Sequence, residues 1–578
     1  MKHTKLQQFF KERLKELFHK ETIDSHRVRF HNTNSLLKEL RTLIVDWKKN
    51  KIKQFETVRL CAQELIDSLK NDEYISMGIY NKELFLKDLE TMVKCDGTKF
   101  NGSHELFILD KLINENKTKY LAILFQNLEQ LVLSGNEFPD DEFIPKANKI
   151  DNVVSLLGTE LINCGFSKSY IYSCVAQLCF KPHFVDQFQI FRDKFLSEEV
   201  PTFVVVYKIW TGDIKLSECD IPYIYEETPD KYLSDNVKEK YIRFLQKEEN
   251  FCFFIWKEEA KDYYSAIKKS KAKLSFLLDQ IHLGVYTTNI SIPENALVIN
   301  LANKERGTDQ PTNYFTDGKY GSDITLFQEY NKLIHRIEEN KNVQQDVKDR
   351  LNSALRYLRL GNTTIEMEQR FINYWIALEF LFSSPETKEN TFTRLKNNLV
   401  NVLFCSYAKR NLMLLNEVLI KKGYVDSGSL YWEVAAEDQQ NLINRINKPL
   451  LRYQVQKMKT HMFVSSDKRK EYLNNHETNL NQHIVRIYRL RNELIHEAAI
   501  KQDIENITSN LRYYLVFLLN QMIVYFANIP TNSDICRHEK AGMDDLFNEY
   551  ILWKKQIAQQ KYDKDILLAI PLEMDLIV

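Results

Sequence analysis

In the stretch RIYRLRNELIHEA, Arg486 to Ala498, an arginine interrupts an apolar helical stripe and a histidine follows five residues later. At about 100° per residue, Ile484, Ile487, Leu490, Leu494, Ile495 and Ala498 form one broad arc, and Arg491 falls inside it. A guanidinium keeps its proton, so it must meet a carboxylate or face a cleft. The stretch QRFINYWIALEFLF carries the converse oddity: Phe371, Ile372, Tyr374, Trp375, Leu378 and Phe382 form its arc, with Glu379 at the edge. A buried Glu379–Arg491 pair is therefore expected. It would either orient the arginine fork toward an anion or simply lock two helices in register. Asn492 and His496 are four apart and share a helix face, so the amide can hold one imidazole nitrogen in a chosen tautomer on a ring that titrates near neutrality. Arg491 and His496 differ by roughly 140° of arc and ~7.5 Å of rise. One straight helix does not aim both at one atom; a helix end near His496, or two copies meeting across a symmetric interface, would. Taken alone, a histidine near a helix end is also a solvated or inert cap.

These residues need a scaffold to position them. A chain of 578 residues exceeds what one core usually serves, so two or three domains are expected. With 44% hydrophobic and 27% charged residues, and only 15 Gly and 12 Pro, the composition is that of a compact, helix-rich protein rather than a disordered one. The formal net charge is zero, which argues against wholesale coating of nucleic acid but leaves room for a local basic surface. The nine cysteines form no CxxC pair, and no histidine cluster has zinc-ligand spacing, so reduced thiols, no metal and no cofactor are expected. The opening MKHTKLQQFFKERLKELFHKE is charged throughout and is not a signal peptide. The most apolar segment, LRYYLVFLLNQMIVYFANIP, contains Arg512, Asn520 and Gln521 and reads as a buried helix rather than a membrane span. The expectation is a cytoplasmic protein.

Along the chain the expected fold class is mainly α. Residues 1–195 form a helical region in which apolar positions recur at helical spacing. Residues 196–325 form a small α/β unit, with β-branched and aromatic runs in PTFVVVYKIW, FCFFIWKE and ALVINLA and a long helix joining the last two as a crossover. The turn-rich stretch from Asn303 to Asp323 is the expected boundary. A helical bundle follows over 340–530, then a carboxy-terminal extension over 531–578. The segment preceding the motif helix is basic: Lys448, Arg452, Lys457, Lys459, Lys468, Arg469 and Lys470, with Tyr453 interleaved and Arg486 and Arg489 added by the helix itself. It reads as an RNA-docking surface with Tyr453 as a stacking platform, or as a solvated polar face.

The pattern R-N-x-x-x-H at Arg491, Asn492 and His496 resembles the R-x(4–6)-H signature of HEPN-superfamily ribonucleases. RLKELFH (Arg13 to His19) and the span Arg489 to His496 fit the same expression, but in both a leucine follows the arginine. A second feature, ALRYLRLGNTTIEMEQRFINYWIALEFLFS, resembles the Apea-like branch in its F-x-x-x-W-x-A-L-E-x-L helix, with Phe371, Trp375, Ala377, Leu378, Glu379 and Leu381 matching. The resemblance covers roughly residues 340 to 530. It implies a metal-independent endoribonuclease cutting RNA, such as tRNA, through a 2′,3′-cyclic phosphate. Arg491, Asn492 and His496 would be catalytic and Glu379 supporting. It also implies a role in bacterial defence against phage, with residues 1 to about 330 sensing a phage-derived trigger or restraining the nuclease; a homodimer through the bundle is expected because one histidine serves one role at a time. A catalytically silent dimerisation module and an RNA-binding protein without cleavage are the alternatives.

Overall fold

A computed structural model describes residues 3–19, 31–133, 142–312, 324–383, 389–496, 504–531 and 540–572, except 53, 99, 181–182, 213, 215, 217–220, 285–289 and 434–435 within those spans. The chain is mainly α with one small antiparallel sheet. Its first part comprises α1 (Lys5–Phe18), α2 (Thr33–Lys48), α3 (Glu56–Asn71), α4 (Lys82–Lys94), α5 (Ser103–Leu133), α6 (Phe143–Asn163), α7 (Lys168–Phe180) and α8 (Phe184–Leu196). Reciprocal capping boxes at Thr4/Gln7 and Asn32/Ser35 start α1 and α2 by satisfying amides that the first turn leaves open. Phe9, Phe10, Leu37, Leu65, Phe125 and Val154 close a single apolar core between these helices.

The middle unit comprises β1 (Thr202–Trp210), β2 (Ile224–Tyr225), α9 (Asp235–Lys240), α10 (Ile242–Leu245), β3 (Phe251–Glu259), α11 (Tyr263–Gly284), β4 (Asn295–Asn300) and β5 (Asn303–Pro311). The strand order is β2-β3-β1-β4-β5, with every neighbouring pair antiparallel. Strands β3 and β4 therefore run parallel to each other on either side of β1, and the expected crossover through α11 steps over that strand. The unbroken apolar run of β1 follows from burial on both faces: Val205 and Tyr207 pack under α11, Val204 and Val206 against Val237 and Phe253. One expectation is corrected here. Asn303–Pro311 is not loop but edge strand β5, paired with β4; its polar sequence hides it because an edge strand needs little apolar alternation. The remainder of that stretch, 313–323, lies outside the described residues.

The last part comprises α12 (Ile324–Glu339), α13 (Gln345–Thr363), α14 (Met367–Phe382), α15 (Thr391–Lys421), α16 (Ala436–Arg445), α17 (Pro449–Phe463), α18 (Ser466–His496), α19 (Ile504–Ala527), α20 (Met543–Gln559) and α21 (Lys564–Ala569). They share one contiguous core from Ile337 to Leu572. The helices α13 and α14 press together at Gly361, where a Cβ would collide with the Tyr374 ring, and the Tyr374 hydroxyl donates to Asn362 Oδ1 at 2.8 Å. Leu546, Phe547, Ile557 and Leu567 belong to the same core, and Ala541 bridges Val343, so the described residues after 540 are built into the bundle. Helix α19 is buried along most of its length, and no helix among the described residues is long and apolar enough to cross a membrane.

Candidate functional site

Helix α18 is 31 residues long and continuous to His496, its last residue. At that end Trp375 of α14 packs on Tyr488 at 5.8 Å, and Tyr488 stacks on Phe392 of α15 at 3.8 Å, which sets the two partners of α18 around Arg491. Arg491 Nη2 lies 3.4 Å from Glu379 Oε1, and Nη1 donates to Asn492 Oδ1 at 3.2 Å. The buried Nε has no partner. The side chains of Arg491 and Glu379 keep 23% and 33% of their surface exposed, so this is a pair at a surface mouth and not the buried lock the helical wheels suggested. Ile495, assigned from the wheel to the apolar arc, is 43% exposed, and Phe380 beside Glu379 is 39% exposed. By helix position Asn492 and His496 share a face; the His496 side chain and residues 497–503 lie outside the described residues.

The basic segment does not form one open surface. Tyr453 is buried in the amino-terminal core, edge-on to Phe9 at 5.0 Å, with its single hydroxyl proton shared between Asn148 Oδ1 at 2.8 Å and Asp151 Oδ2 at 2.9 Å. It cannot stack a base there. Lys457 reaches the same Asp151 oxygen at 3.1 Å, and the Arg452 guanidinium lies 5.8 Å over the Phe143 ring. Arg469 turns inward to the carbonyls of Tyr562 at 2.6 Å and Met462 at 2.9 Å. Lys459 donates to Gln440 at 2.8 Å and Lys468 to Glu471 at 2.9 Å; Lys470 is exposed. Arg486 is buried and donates through Nε to Glu39 Oε1 at 2.9 Å and through Nη1 to Glu64 Oε1 at 3.4 Å, while Arg489 Nη2 donates to Glu39 Oε1 at 2.6 Å. As an RNA surface, Tyr453, Arg486 and Arg489 are thus corrected: carboxylates and amides of α2, α3 and α6 already occupy them. Arg13, whose spacing to His19 mimics the motif, is likewise spent on Asp151 at 2.6 Å.

Sequence reasoning missed the acidic half of this contact. Glu39 and Glu64 sit at ordinary helical positions, and only the docking of α18 on α2 and α3 makes them a receptor for Arg486. Burial alone would raise the Glu39 carboxyl, but the guanidiniums of Arg486 and Arg489 hold it well below the usual range. Burial, reinforced by Arg486, lowers the His31 imidazole to about 4. Two further histidines of α18 are interior groups: His483 faces the Tyr514 hydroxyl at 3.1 Å with burial lowering it to about 3, and His476 lies flat on Tyr407 at 3.5 Å, its pKa pushed well down by burial. Neither is poised for proton exchange near neutrality.

Among the described residues no group of His, Cys, Asp and Glu is placed to hold a metal ion. Comparison with protein-family models, curated proteins and solved structures gives no match for the chain.

Proposed function

We propose that the chain is a HEPN-type, metal-independent endoribonuclease of a bacterial anti-phage system, with Arg491, Asn492 and His496 as its catalytic residues. The observation that carries this reading is the half-open Glu379–Arg491 pair, with Asn492 on the second guanidinium nitrogen, at the last turns of a helix ending at His496. The pair presents a cation, fixed by a carboxylate, at a surface where an anion can reach it. In the proposed reaction His496 accepts the proton of the ribose 2′-hydroxyl and the 2′-oxygen attacks the adjacent phosphorus. The 5′-oxygen leaves with a proton from the imidazolium of a second copy, and Arg491 stabilises the charge on the non-bridging oxygens. Two copies are part of the proposal because Arg491 and His496, five apart on one continuous helix, diverge. The exposed Ile495 and Phe380 supply apolar surface beside the site for such a partner to cover.

The amino-terminal helices are proposed to control this site. Arg486 lies five residues before Arg491, and its buried contact with Glu39 and Glu64 ties the motif helix to α2 and α3. A trigger that binds one arrangement of that contact more tightly would shift the population of the other. A second reading, a silent bundle serving as an interaction module, is favoured by the commitment of Tyr453, Arg486 and Arg489 to intramolecular partners. Incubating the purified full-length protein with total RNA in EDTA separates the two. Cleavage leaving 2′,3′-cyclic phosphate and 5′-hydroxyl ends, lost in a folded His496→Ala variant, supports the ribonuclease; intact RNA, or cleavage unchanged in that variant, removes it.

A further inference from the structure

A second site lies at the far end of the motif helix. Where α15, α16, the end of α17, the start of α18 and α21 converge there is a cavity of about 640 Å³, within the range of about 300–1,000 Å³ typical of small-molecule pockets. Three of its lining residues are cations. Among the described residues Lys409 Nζ donates only to the Ile570 carbonyl at 2.8 Å, and Arg469 uses Nε and Nη1 on two carbonyls, leaving Nη2 without a partner there. Neither has a carboxylate within salt-bridge distance among the described residues, although two carboxylates, Glu433 and Asp565, line the same cavity. Lys564 forms a loose ion pair with the exposed Asp565 at 3.7 Å, beyond hydrogen-bond distance. Partial burial already lowers the Lys409 pKa, the direction expected of an ammonium that lacks a counter-ion. The remaining wall is mixed: Glu433, Gln439 and Asp565 bring polar groups, and Leu430, Trp432, Phe463 and Leu568 bring apolar and aromatic ones.

We infer that this cavity binds a nucleotide, its phosphates on Lys409, Arg469 and Lys564 and its base against Phe463, beside the largely buried Trp432. A bare inorganic anion would leave the aromatic wall unused, and a neutral nucleoside would leave the cations unmatched; a nucleotide satisfies both halves. Glu433, also on the wall, is placed to accept from a ribose hydroxyl or a base amino group. Arg469 stands in the first turn of α18, 22 residues before Arg491, which is roughly 33 Å along the helix axis. The site is therefore separate from the motif and does not depend on RNA being cut.

The test uses the full-length protein, titrated calorimetrically with ATP, tripolyphosphate and adenosine. ATP is expected to bind, tripolyphosphate at least about tenfold more weakly, and adenosine not measurably. Lys409→Gln and Lys564→Gln are each expected to weaken ATP at least about tenfold while leaving the circular dichroism spectrum and melting temperature unchanged. Lys564 is a surface residue whose replacement does not endanger folding, so the result stands even where Lys409→Gln fails to fold. No ATP binding, or binding unaltered in folded Lys564→Gln, overturns the site; tripolyphosphate binding as tightly as ATP overturns its assignment to nucleotides.

Discussion

Arg491 is held by one carboxylate and one amide, with its Nε buried and unpartnered, so replacing its neighbours and replacing the arginine itself should have different consequences. Arg491→Lys keeps the charge but loses the planar fork, and cleavage should fall by about 100-fold or more with the melting temperature nearly unchanged. Glu379→Gln frees the guanidinium without emptying the space; cleavage should fall less than in Arg491→Lys, and equal losses would show that orientation by Glu379 is as important as the fork. At the other contact, two titrating groups act in the same direction. The His31 pKa is lowered to about 4 in the folded protein against 6.5 unfolded, so its contribution is complete above pH 6.5 and is lost as pH falls from 6.5 toward 4. Glu39, held below its ordinary 4.5, loses its contribution below that value. Stability measured by urea unfolding should therefore fall on acidification from pH 7 to 5, with a smaller fall in His31→Gln.

At the scale of elements, the close approach of α13 to α14 places Glu379 where α18 can meet it, and that approach depends on Gly361. Gly361→Ala would drive a methyl group into the Tyr374 ring and should cost about 1–3 kcal/mol in urea unfolding, the range for overpacking. The packing between α18 and the amino-terminal helices depends on charge instead. Removing one carboxylate, as in Glu64→Ala, strands part of a buried guanidinium and should cost about 3–5 kcal/mol. Replacing Arg486 by Met removes that buried charge, and the partly exposed Arg489 keeps Glu493 at 3.7 Å when Glu39 is replaced, so Arg486→Met combined with Glu39→Gln and Glu64→Gln should be better tolerated than Glu64→Ala. If the contact controls cleavage, that triple variant changes RNA cleavage with Arg491, Asn492 and His496 untouched; an unchanged rate and an unchanged response to phage would end the control proposal.

At the scale of the molecule, the three packed regions contact one another, the first and last of them through α17 and α18. Helix α17 docks on α1 and α6 through Tyr453, Gln454 and Lys457, and α18 docks on α2 and α3 through Arg486 and Arg489. Helix α11 reaches both sides, its preceding Asp262 accepting from Ser167 at 2.7 Å and Lys268 pairing with Glu505 at 2.9 Å. The amino-terminal helices are therefore in contact with the helix that carries the motif, and the proposed second copy would cover that helix at Ile495. Ile495→Glu should dissociate such a dimer in sedimentation experiments and reduce cleavage, with activity rising as protein concentration is increased. Full cleavage by a protein that sediments as a monomer would overturn the composite site.

The local elements were legible in the sequence because their signals are local. Helical periodicity marked the first and last regions, the β-branched runs marked β1, β3 and β4, and the clash of an arginine with an apolar arc marked Arg491 and Glu379. The edge strand β5 was not legible, since its sequence is polar and, among its described positions, only Gly307 is buried, so no apolar alternation marks it. Tertiary structure alone decided the fate of the charges. The sequence lists Tyr453, Arg486 and Arg489 as a basic, aromatic segment, but whether a cation faces solvent or a carboxylate depends on a partner hundreds of residues away, here Glu39, Glu64 and Asp151. The same holds for the half-open state of the Glu379–Arg491 pair and for Lys409, Arg469 and Lys564, which converge on one cavity from three separate helices. Side-chain type and spacing constrain what a residue can do, while long-range packing sets the neighbour and the solvent exposure that determine what it does.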